Sequence, residues 1–407
     1  MSEVVSIPQL RFPEFRDEWR VDKFVDLCKF QQGVQVDVEL QSTEPKNNFL
    51  RFLRIENYTQ KSNDFRYIPK ELSSNKSITE NEIAIVRYGA TAGYIGRGLK
   101  GVLANNLFKL VLNKDTLDTD YLFHLLRSYK TFCFFQSEMS GGAMPALSFG
   151  IVGALKLPYS SISEQQKIAA FLSAVDNKIE QLSKKQALLG SWKKGLMQQI
   201  FSQAIRFKAD DGSAFPVWEE KNIVELAKTS IGLVTSMTPY YVDKGVPLIR
   251  NNDIFQNKIR KEKLIRLDYE FDQLNKNRRL FTNDIVTVHT GNIGASAVID
   301  EELNGCQGFA TLNTRIKNQN EISSSFLCWY YNSTRNIKYA LSMATGDGRS
   351  NYNLKDFNKA TIPVPSLPEQ TKIAAFLTAA DNKIEQVGKQ FDESKQFKKA
   401  LLQQMFV

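Results

Sequence analysis

Apolar residues recur at every third or fourth position in two long segments of the chain, with polar residues between them. From Ile168 to Leu182 the apolar positions are spaced 4-3-4-3, and from Ile373 to Val387 the same spacing recurs. This spacing is typical of a coiled-coil seam, so each segment predicts a helix, roughly 55 to 60 Å long, that needs a partner helix. The predicted seams continue through Leu189, Trp192, Leu196 and Ile200 in the first helix and through Phe391, Phe397, Leu401 and Met405 in the second.

The two segments are also nearly identical in sequence. Residues 164–181 are EQQKIAAFLSAVDNKIEQ and residues 369–386 are EQTKIAAFLTAADNKIEQ, so 15 of 18 positions are identical at an offset of 205 residues. A weaker repeat aligns Trp19 with Trp218 and the residues that follow each of them. The chain is therefore an internal duplication in which the helices have stayed alike while the remaining parts have diverged.

Short β-branched runs alternate with loops in the parts that precede each helix. Residues 83–96 (IAIVRYGATAGYIG) and 285–299 (IVTVHTGNIGASAVI) each predict a strand followed by a glycine-containing loop. Residues 121–139 and 326–343 predict one largely buried helix in each half. The fold class indicated is α+β: two globular mixed α/β domains separated by two long antiparallel coiled-coil helices, with a pseudo-twofold internal repeat.

The prolines before each helix suggest the domain boundaries. We assign residues 1–157 to the first globular domain, 158–203 to the first helical segment, 204–362 to the second globular domain and 363–407 to the second helical segment. The polar residues 203–214 predict a linker.

The charge balance limits the classes of partner. A formal net charge of +9 and a pI near 9.1 favour a polyanionic partner, although an ordinary solvated surface has the same balance. No run approaches about 18 apolar residues and the first residues lack the apolar core of a signal peptide, so we expect a soluble, cytoplasmic protein. The 4 cysteines show neither metal-ligand spacing nor a disulfide framework.

Catalytic motifs are largely missing from the sequence. Residues 96–101 (GRGLKG) fit G-x-G-x-x-G, but a strand-like run follows where a dinucleotide site needs a helix. No phosphate-binding G-x-x-x-x-G-K-[ST] loop occurs, and residues 238–241 (TPYY) lack the amide or carboxylate that amino-methyltransferases place before proline. His124 is expected in an apolar core. His289 ends a strand before Gly291 and is expected to be an ordinary edge-strand histidine, the alternative being contact with a ligand. We assign no catalytic residue, metal site or cofactor to this chain.

Near-identical helices carrying unlike globular domains give the chain a family resemblance. The segments E-Q-x-K-I-A-x-F-L-x-x-x-D-N-K-I-E at residues 164–180 and 369–385, with PEFRDEW at residues 13–19, resemble the specificity subunit of Type I restriction-modification systems. The resemblance is strong in the helices and weak in the globular domains. It implies two target recognition domains that each read one half of a bipartite DNA sequence, held apart by helices whose length sets the unread spacer.

The resemblance also implies the partners. Besides double-stranded DNA, the chain would bind two modification (methyltransferase) subunits and, in a complete restriction complex, two restriction (translocase and nuclease) subunits. The chain itself would be a non-catalytic recognition subunit. S-adenosylmethionine, ATP and magnesium are expected on the partner subunits.

Base-reading side chains are sought in loops that follow strands, because Arg or Lys reads guanine and Asn or Gln reads adenine in the major groove. Each candidate is also compatible with an ordinary loop residue. The candidates in the first domain are Arg54, Asn57, Arg87 and Tyr88, with Ser140, Gly141 and Gly142 expected near phosphates. The candidates in the second domain are Arg250, Asn251, Asn252, Asn292, Arg349 and Asn351. Lys258, Lys261, Lys263, Arg278 and Arg279 are candidates for phosphate contacts or for a solvated basic face.

Polar positions on the outer faces of the helices are identical in both copies, although such positions drift unless a partner contacts them. We therefore predict that they dock the modification subunits, the alternative being ordinary helix-surface charges. The predicted docking residues are Lys167, Asp176, Asn177, Lys178 and Glu180, with Lys372, Asp381, Asn382, Lys383 and Glu385.

Two other functions remain open from the sequence. An autonomous bipartite DNA-binding regulator would bind its target specifically without partners. A methyltransferase with an unrecognised site would bind S-adenosylmethionine. Two matching docking surfaces favour the specificity subunit, since a lone regulator has no need for them.

Overall fold

A computed structural model gives the fold and describes residues 3–4, 8–74, 76–139, 145–344 and 350–406. Contacts within the chain define two compact units. Unit 1 comprises Met1–Ser183 and Lys389–Val407, and unit 2 comprises Lys184–Gly388. Each unit thus contains one globular domain and one part of each of the two long helices.

Small sheets build the globular part of unit 1. Their orders are β1-β2-β11, β3-β10-β7-β8 and β5-β4-β9-β6, and β4 pairs with β9 in parallel while the other described pairs of this unit are antiparallel. The strands are β1 (Glu3–Val4), β2 (Arg20–Lys23), β3 (Cys28–Gln32), β4 (Phe49–Leu53), β5 (Arg66–Pro69), β6 (Ser77–Ile78), β7 (Ala84–Val86), β8 (Ile95–Gly96), β9 (Gly101–Leu103), β10 (Leu107–Leu112) and β11 (Lys156–Tyr159). The short helices are α1 (Phe24–Leu27), α2 (Ile55–Thr59), α3 (Thr119–Leu126), α4 (Tyr129–Glu138) and α5 (Phe149–Ala154), with 3-10 turns at Val38–Leu40 and Lys70–Ser73.

The long helix α6 (Ile162–Phe201) leads from unit 1 into unit 2, which repeats this plan. Its sheets have the orders β12-β23, β13-β22-β19-β20, β14-β18-β15-β21 and β16-β17. The strands are β12 (Glu219–Asn222), β13 (Ala227–Ile231), β14 (Tyr241–Val242), β15 (Val246–Arg250), β16 (Ile254–Phe255), β17 (Lys258–Ile259), β18 (Ile265–Leu267), β19 (Ile285–Thr287), β20 (Ser296–Val298), β21 (Gln307–Phe309), β22 (Leu312–Ile316) and β23 (Thr361–Val364). The helices are α7 (Ile223–Leu226), α8 (Tyr269–Leu274), α9 (Ser324–Tyr331), α10 (Thr334–Met343), α11 (Leu354–Phe357) and the second long helix α12 (Leu367–Met405), with 3-10 turns at Thr238–Tyr240, Asn251–Asp253, Lys276–Arg278 and Glu301–Leu303.

The two tryptophans aligned in sequence are buried at equivalent places. Trp19 lies beside Tyr121, with ring centroids 6.3 Å apart, and Trp218 lies beside Phe326 at 6.2 Å. Each belongs to the largest apolar core of its unit. The mixed α/β fold class and the internal repeat expected from the sequence are therefore confirmed.

A glycine is needed where each globular domain folds its strands together. A Cβ atom on Gly33 would lie 2.2 Å from the carbonyl oxygen of Ala104, and one on Gly232 would lie 2.3 Å from that of Gly308. Each oxygen is held in place, because that of Ala104 accepts a hydrogen bond from the N–H of Leu107 at 2.9 Å and that of Gly308 accepts one from the N–H of Leu233 at 2.7 Å. The equivalence of Gly33 and Gly232 thus reflects the same close approach in both units.

The single buried helix predicted in each half is two helices, so that prediction was wrong. The first break falls at Ser128, whose Oγ accepts a hydrogen bond from the backbone N–H of Thr131 at 3.3 Å at the start of α4. The second falls at Ser333, whose Oγ accepts from the N–H of Asn336 at 3.3 Å at the start of α10. A serine at the N-cap satisfies a backbone donor that a new helix leaves unpaired, and this favours the break.

Within each unit the two helical segments run antiparallel. In unit 1, Ile168 and Leu172 of α6 share a core with Leu401 and Met405 of α12. In unit 2, the end of α6 packs against the beginning of α12, where Ile373 and Leu377 are buried. Apolar burial at three- and four-residue spacing confirms the predicted seams at these positions.

Two aromatic residues assigned to the seams lie outside them. Trp192 is 49% exposed and Phe397 is 53% exposed. The spacing places Lys193 and Lys398 on the seam instead, where their side chains are 18% and 13% exposed. A lysine can fill such a position because its methylene chain packs against the partner helix while its ammonium group finds a carboxylate.

The Glu-Gln pair that begins each repeat is buried. Arg11 Nε donates to Glu164 Oε1 at 2.7 Å, and Gln165 Nε2 donates to the carbonyl oxygens of Thr116 and Ser160 at 2.9 and 2.8 Å. Glu369 and Gln370 are also fully buried, and Arg206 binds Glu369 in the same way. These polar residues fix the start of each long helix on its globular domain. The predicted linker at residues 203–214 thus contains an anchoring arginine.

Candidate nucleic-acid interface

In each unit, the first candidate residues for DNA contact lie in a capped turn at the end of a strand. In unit 1, Arg54 follows β4, and its backbone N–H donates to Asn57 Oδ1 at 2.8 Å. In unit 2, Arg250 ends β15, and its backbone N–H donates to Asp253 Oδ2 at 3.1 Å. The two arginines therefore occupy equivalent places.

Carboxylates of the same unit bind both arginine side chains. Arg54 Nη1 lies 2.9 Å from Glu56 Oε1, and Arg250 Nε donates to Asp253 Oδ2 at 3.0 Å. Burial acts to raise the pKa of the Asp253 carboxyl, but the hydrogen bonds from Arg250 outweigh it and hold that pKa below its ordinary value. The guanidinium groups thus stabilise their turns, and contact of either with DNA stays a prediction.

The Asn57 side chain forms hydrogen bonds within its own loop. It is 4% exposed, its Oδ1 accepts from Arg54, and its Nδ2 donates to the carbonyl oxygens of Ser62 and Asp64 at 3.0 and 3.2 Å. This geometry favours a structural role. Asn252, two residues beyond Arg250, is exposed.

A second loop, which contains two glycines, lies at an equivalent place in both units. It follows β7 in unit 1, where Gly89 and Gly93 have φ angles of 90° and 85°, and β19 in unit 2, where Gly291 and Gly294 have φ angles of 90° and 84°. These positive φ angles favour glycine. The sequence predicted a glycine-containing loop after each of these strands, and the structure has one in both units.

Each of these loops pairs with the segment that precedes the last short helix of its globular domain. Tyr88 forms an antiparallel bridge with Ala146, and Thr290 forms one with Asn351. The structure therefore brings the candidates Tyr88 and Asn351 to equivalent edges of their units. The candidates Ser140, Gly141, Gly142 and Arg349 lie outside the described residues.

Polar side chains meet at this edge of unit 2. The hydroxyl of Thr290 donates to Asn351 Oδ1 and lies 3.1 Å from His289 Nδ1. The backbone N–H of His289 approaches Asn251 Oδ1 at 3.4 Å. Asn292 is exposed on the same loop. The structure thus brings Asn251 and Asn351 together with His289, for which the sequence left a ligand contact open, while Asn292 lies on the same loop.

The five basic candidates for phosphate contact have mixed surroundings. Lys258 binds Glu385 at 2.8 Å, Lys261 binds Asp300 and Glu302 at 2.5 and 2.6 Å, and Arg279 pairs with Asp272. Arg278 donates to the carbonyl oxygen of Ile231 at 2.7 Å, and Lys263 has a φ angle of 62° at a turn. Most of these charges are balanced within unit 2, which favours the solvated-face alternative for them.

Five of the predicted docking residues form the following ion pairs within their own unit. Lys167 pairs with Glu14, Lys372 binds Asp210 at 2.6 Å, and Glu385 binds Lys258. Asp176 and Asp381 bind the two seam lysines, Lys398 and Lys193. The equivalent contacts of Asp176 and Asp381 account for the repetition of these two aspartates.

The remaining docking candidates face solvent. Asn177, Lys178, Glu180, Asn382 and Lys383 are all exposed. In unit 2 they adjoin a cleft of about 670 Å³ that is lined by Trp329, Thr378 and Asn382 among others. Docking of a partner at these residues stays a prediction.

The remaining chemical candidates occupy ordinary structural positions. GRGLKG is followed by β9 and β10, as its strand-like continuation predicted, so it does not form a dinucleotide site. His124 is 1% exposed, with Nε2 3.1 Å from Ser173 Oγ. Its Nδ1 has no hydrogen-bond partner in the described parts of the chain, so the expected core imidazole is only half satisfied. Those parts contain no group of three metal-ligating side chains and no helix long and apolar enough to cross a membrane.

Known proteins share this arrangement. A model of the family described as "Type I restriction modification DNA specificity domain" matches residues 16–189 and again residues 217–391. The Type I restriction enzyme MjaVIII specificity subunit of Methanocaldococcus jannaschii is 26% identical over 410 residues, which cover 97% of this chain and 92% of that protein.

Two solved structures have the same fold. The crystal structure of the Type I restriction-modification system S subunit from M. genitalium matches with a TM-score of 0.62 and 17% identity over 99% of both chains. A chain from work on complex assembly and conformational transition of the type I R-M system matches with a TM-score of 0.59 and 17% identity, over 96% of this chain and 99% of that one.

Proposed function

Since the chain belongs to the family of Type I restriction modification DNA specificity domains, we propose that it is the DNA sequence-specificity subunit of a Type I restriction-modification complex. Each unit would read one half of a bipartite DNA target. The long helices would carry the partner subunits and determine the number of unread base pairs between the two halves.

The observation that carries this proposal is the double family match. The first match, residues 16–189, covers the globular domain of unit 1, and the second, residues 217–391, covers that of unit 2. One chain with two specificity domains of unlike sequence has two unlike readers. A split target with two different halves is what such a chain would recognise.

The role proposed for the chain is recognition, with the chemistry on its partners. Two modification subunits would transfer methyl groups from S-adenosylmethionine to adenine. Two restriction subunits, in a complete complex, would use ATP and magnesium for translocation and cleavage. The two-to-one ratio follows from the duplication, because each copy of the repeat offers one site.

We place the docking sites at the exposed part of each repeat. Asn177 and Lys178 of the first copy, with Asn382 and Lys383 of the second, are identical, exposed and not needed for the helix seams. Lys383 contacts Gln386 of its own helix at 3.4 Å, a long and weak hydrogen bond. These four residues are therefore the best supported of the docking set.

Methylation mapping of host DNA tests the proposed function. The chain is co-expressed with the modification subunit encoded beside it, and methyladenine is mapped by single-molecule sequencing. We expect one split motif whose two short halves differ in sequence. The modification subunit expressed alone is the control and should give no motif. Specific DNA binding by the purified chain without partners would favour an autonomous regulator, and S-adenosylmethionine binding by the chain would favour a methyltransferase.

A further inference from the structure

Aromatic rings hold Arg87 in place, and its guanidinium group has no acceptor among the residues that the structure describes. Its guanidinium carbon lies 4.9 Å from the ring centroid of Tyr88 and 4.7 Å from that of Phe149. Its Nε is buried, and no described residue accepts a hydrogen bond from it. Stacking fixes the plane of a guanidinium and reduces the rotamer freedom that binding would otherwise remove.

Three other arginines of unit 1 are neutralised by carboxylates. Arg11 binds Glu164, Arg54 binds Glu56, and Arg97 binds Asp120. Arg87 differs from these three because aromatic rings position it, and its terminal Nη groups, which have no acceptor among the described residues, are left for one outside the chain. It also begins the loop after β7, at the edge where Tyr88 pairs with Ala146.

The equivalent edge of unit 2 has different chemistry. His289 replaces Arg87, Thr290 replaces Tyr88, and Asn351 replaces Ala146, since both loops follow a buried strand and form the same bridge. Asn351 is exposed, and the hydroxyl of Thr290 fixes its amide by donating to Oδ1. The side-chain N–H₂ group of Asn351 and the second lone pair of its Oδ1 remain for a ligand.

These two chemistries match different bases. A guanidinium donates two hydrogen bonds to O6 and N7 of guanine, whereas an amide both donates to N7 and accepts from N6 of adenine. We propose that Arg87 reads a guanine in the half-site of unit 1 and that Asn351, held by Thr290, reads an adenine in the half-site of unit 2. This inference rests on the proposed function and adds the base that each edge recognises.

Substitution of Arg87 in the complex with the modification subunits tests the proposal that Arg87 reads a guanine. Arg87→Gln replaces two donors with an amide, so the preferred base should change from guanine to adenine at one position of one half-site. Arg87→Lys should retain the preference for guanine at that position. Arg87→Ala should lower the preference for guanine by about 5- to 150-fold, which corresponds to ~1–3 kcal/mol. The readout is the methylation frequency of each base at each position of the motif.

A matched control separates base reading from general loss of charge. Arg51 lies on β4 of the same unit, with its guanidinium carbon 4.2 Å from the ring centroid of Phe65. Arg51→Ala should leave every base preference unchanged. If Arg87→Ala weakens binding equally at all sequences, Arg87 contacts a phosphate and the inference is wrong.

Asn351→Asp tests the proposal that Asn351 reads an adenine. The aspartate cannot donate to adenine N7, so the adenine preference should fall at one position of the other half-site, with cytosine gaining. Asn320→Asp, an exposed position elsewhere in unit 2, is the control and should change nothing. If the wild-type complex gives a split motif that Arg87→Gln and Asn351→Asp leave unchanged, this inference fails while the proposed function stands. A wild-type complex with no motif would overturn the proposed function itself.

Discussion

The Lys398 ammonium donates to both carboxylate oxygens of Asp176, at 2.5 and 2.6 Å, across the two helical segments of unit 1. Lys193 and Asp381, each at an offset of 205 residues from its counterpart, form the same pair in unit 2. Burial lowers the pKa of the Lys398 ammonium despite the opposing effect of Asp176. The repeated lysine and aspartate thus form equivalent links between the helices.

Removal of the carboxylate should destabilise unit 1. Asp176→Ala would leave the Lys398 ammonium, which is 13% exposed, without its charged partner. We expect the free energy of unfolding of unit 1 to fall by ~1–3 kcal/mol, the low end reflecting the partial exposure of Asp176. Hydrogen exchange of the unit 1 amides in the full-length chain measures this change.

Three further variants make that experiment decisive. Asp381→Ala should produce the same loss in unit 2, because it removes the partner of Lys193. Asp392→Ala, at an exposed position of α12, should change the free energy by no more than about 0.5 kcal/mol. Adding Lys398→Met to Asp176→Ala should recover much of the stability. Unchanged exchange in Asp176→Ala would show that the pair contributes nothing.

Acid should destabilise unit 1 through His124. Burial and the nearby Lys398 ammonium together lower the pKa of this imidazole from 6.5 to about 4, while Asp176 acts against the shift. Between these pH values the unfolded chain binds a proton that the folded chain excludes, so stability is lost as the pH falls from about 6.5 towards 4. The expected slope is up to about 1.4 kcal/mol per pH unit.

His124→Phe should flatten that pH dependence. Denaturant unfolding of the full chain between pH 4 and 7 gives the slope for both proteins. Burial also lowers the pKa of His289, so a smaller slope of the same sign should remain. An equal slope before and after the substitution would exclude His124 as its source.

Charge reversal at the exposed lysines should weaken assembly. Lys178→Glu together with Lys383→Glu changes the same position in both copies, and we expect less modification subunit to co-purify because each proposed docking site acquires a repelling charge. The chain should stay folded, since both lysines are exposed. Lys185→Glu is the control, because the equivalent residue in the second copy of the repeat is Gln390, so the lysine is not conserved between the copies. Unchanged co-purification would argue against docking at these residues.

Loss of a turn arginine should affect one half of the target. Arg250→Ala removes the side chain that binds the buried Asp253, so the turn after β15 loses its fixed geometry. We expect recognition of only the half-site of unit 2 to be lost in the methylation map. Arg54→Ala should damage only the other half-site. Equal damage at both halves by either variant would contradict the assignment of one half-site to each unit.

The sequence predicted the helices well because their periodicity is strong and occurs twice. It failed at Trp192 and Phe397, since apolarity favours an aromatic side chain over the lysine beside it. Only the three-dimensional pairing of Lys193 and Lys398 with aspartates shows why lysine lies on the seam. The repeated Glu-Gln at the helix starts was visible in the sequence, but its burial was not.

The candidate site was less predictable. A loop arginine that holds its own turn, such as Arg54, has the same sequence context as one that awaits a ligand, such as Arg87. The difference lies in which groups surround each guanidinium: Glu56 for the first, the rings of Tyr88 and Phe149 for the second. Glu56 and Tyr88 are close to these arginines in sequence, but only the folded backbone shows that each reaches the guanidinium, and Phe149 comes from a distant part of the chain. No local pattern therefore separates the two cases.

Exchange of one globular domain tests the central claim, that each unit is an independent reader of one half-site. Residues 204–362 are replaced by a second copy of residues 1–157, with both long helices kept, and the methylation map of the resulting complex is measured. We predict that the half-site of unit 2 disappears and that of unit 1 occurs twice with the original spacer. A map that retains the half-site of unit 2 would contradict the account.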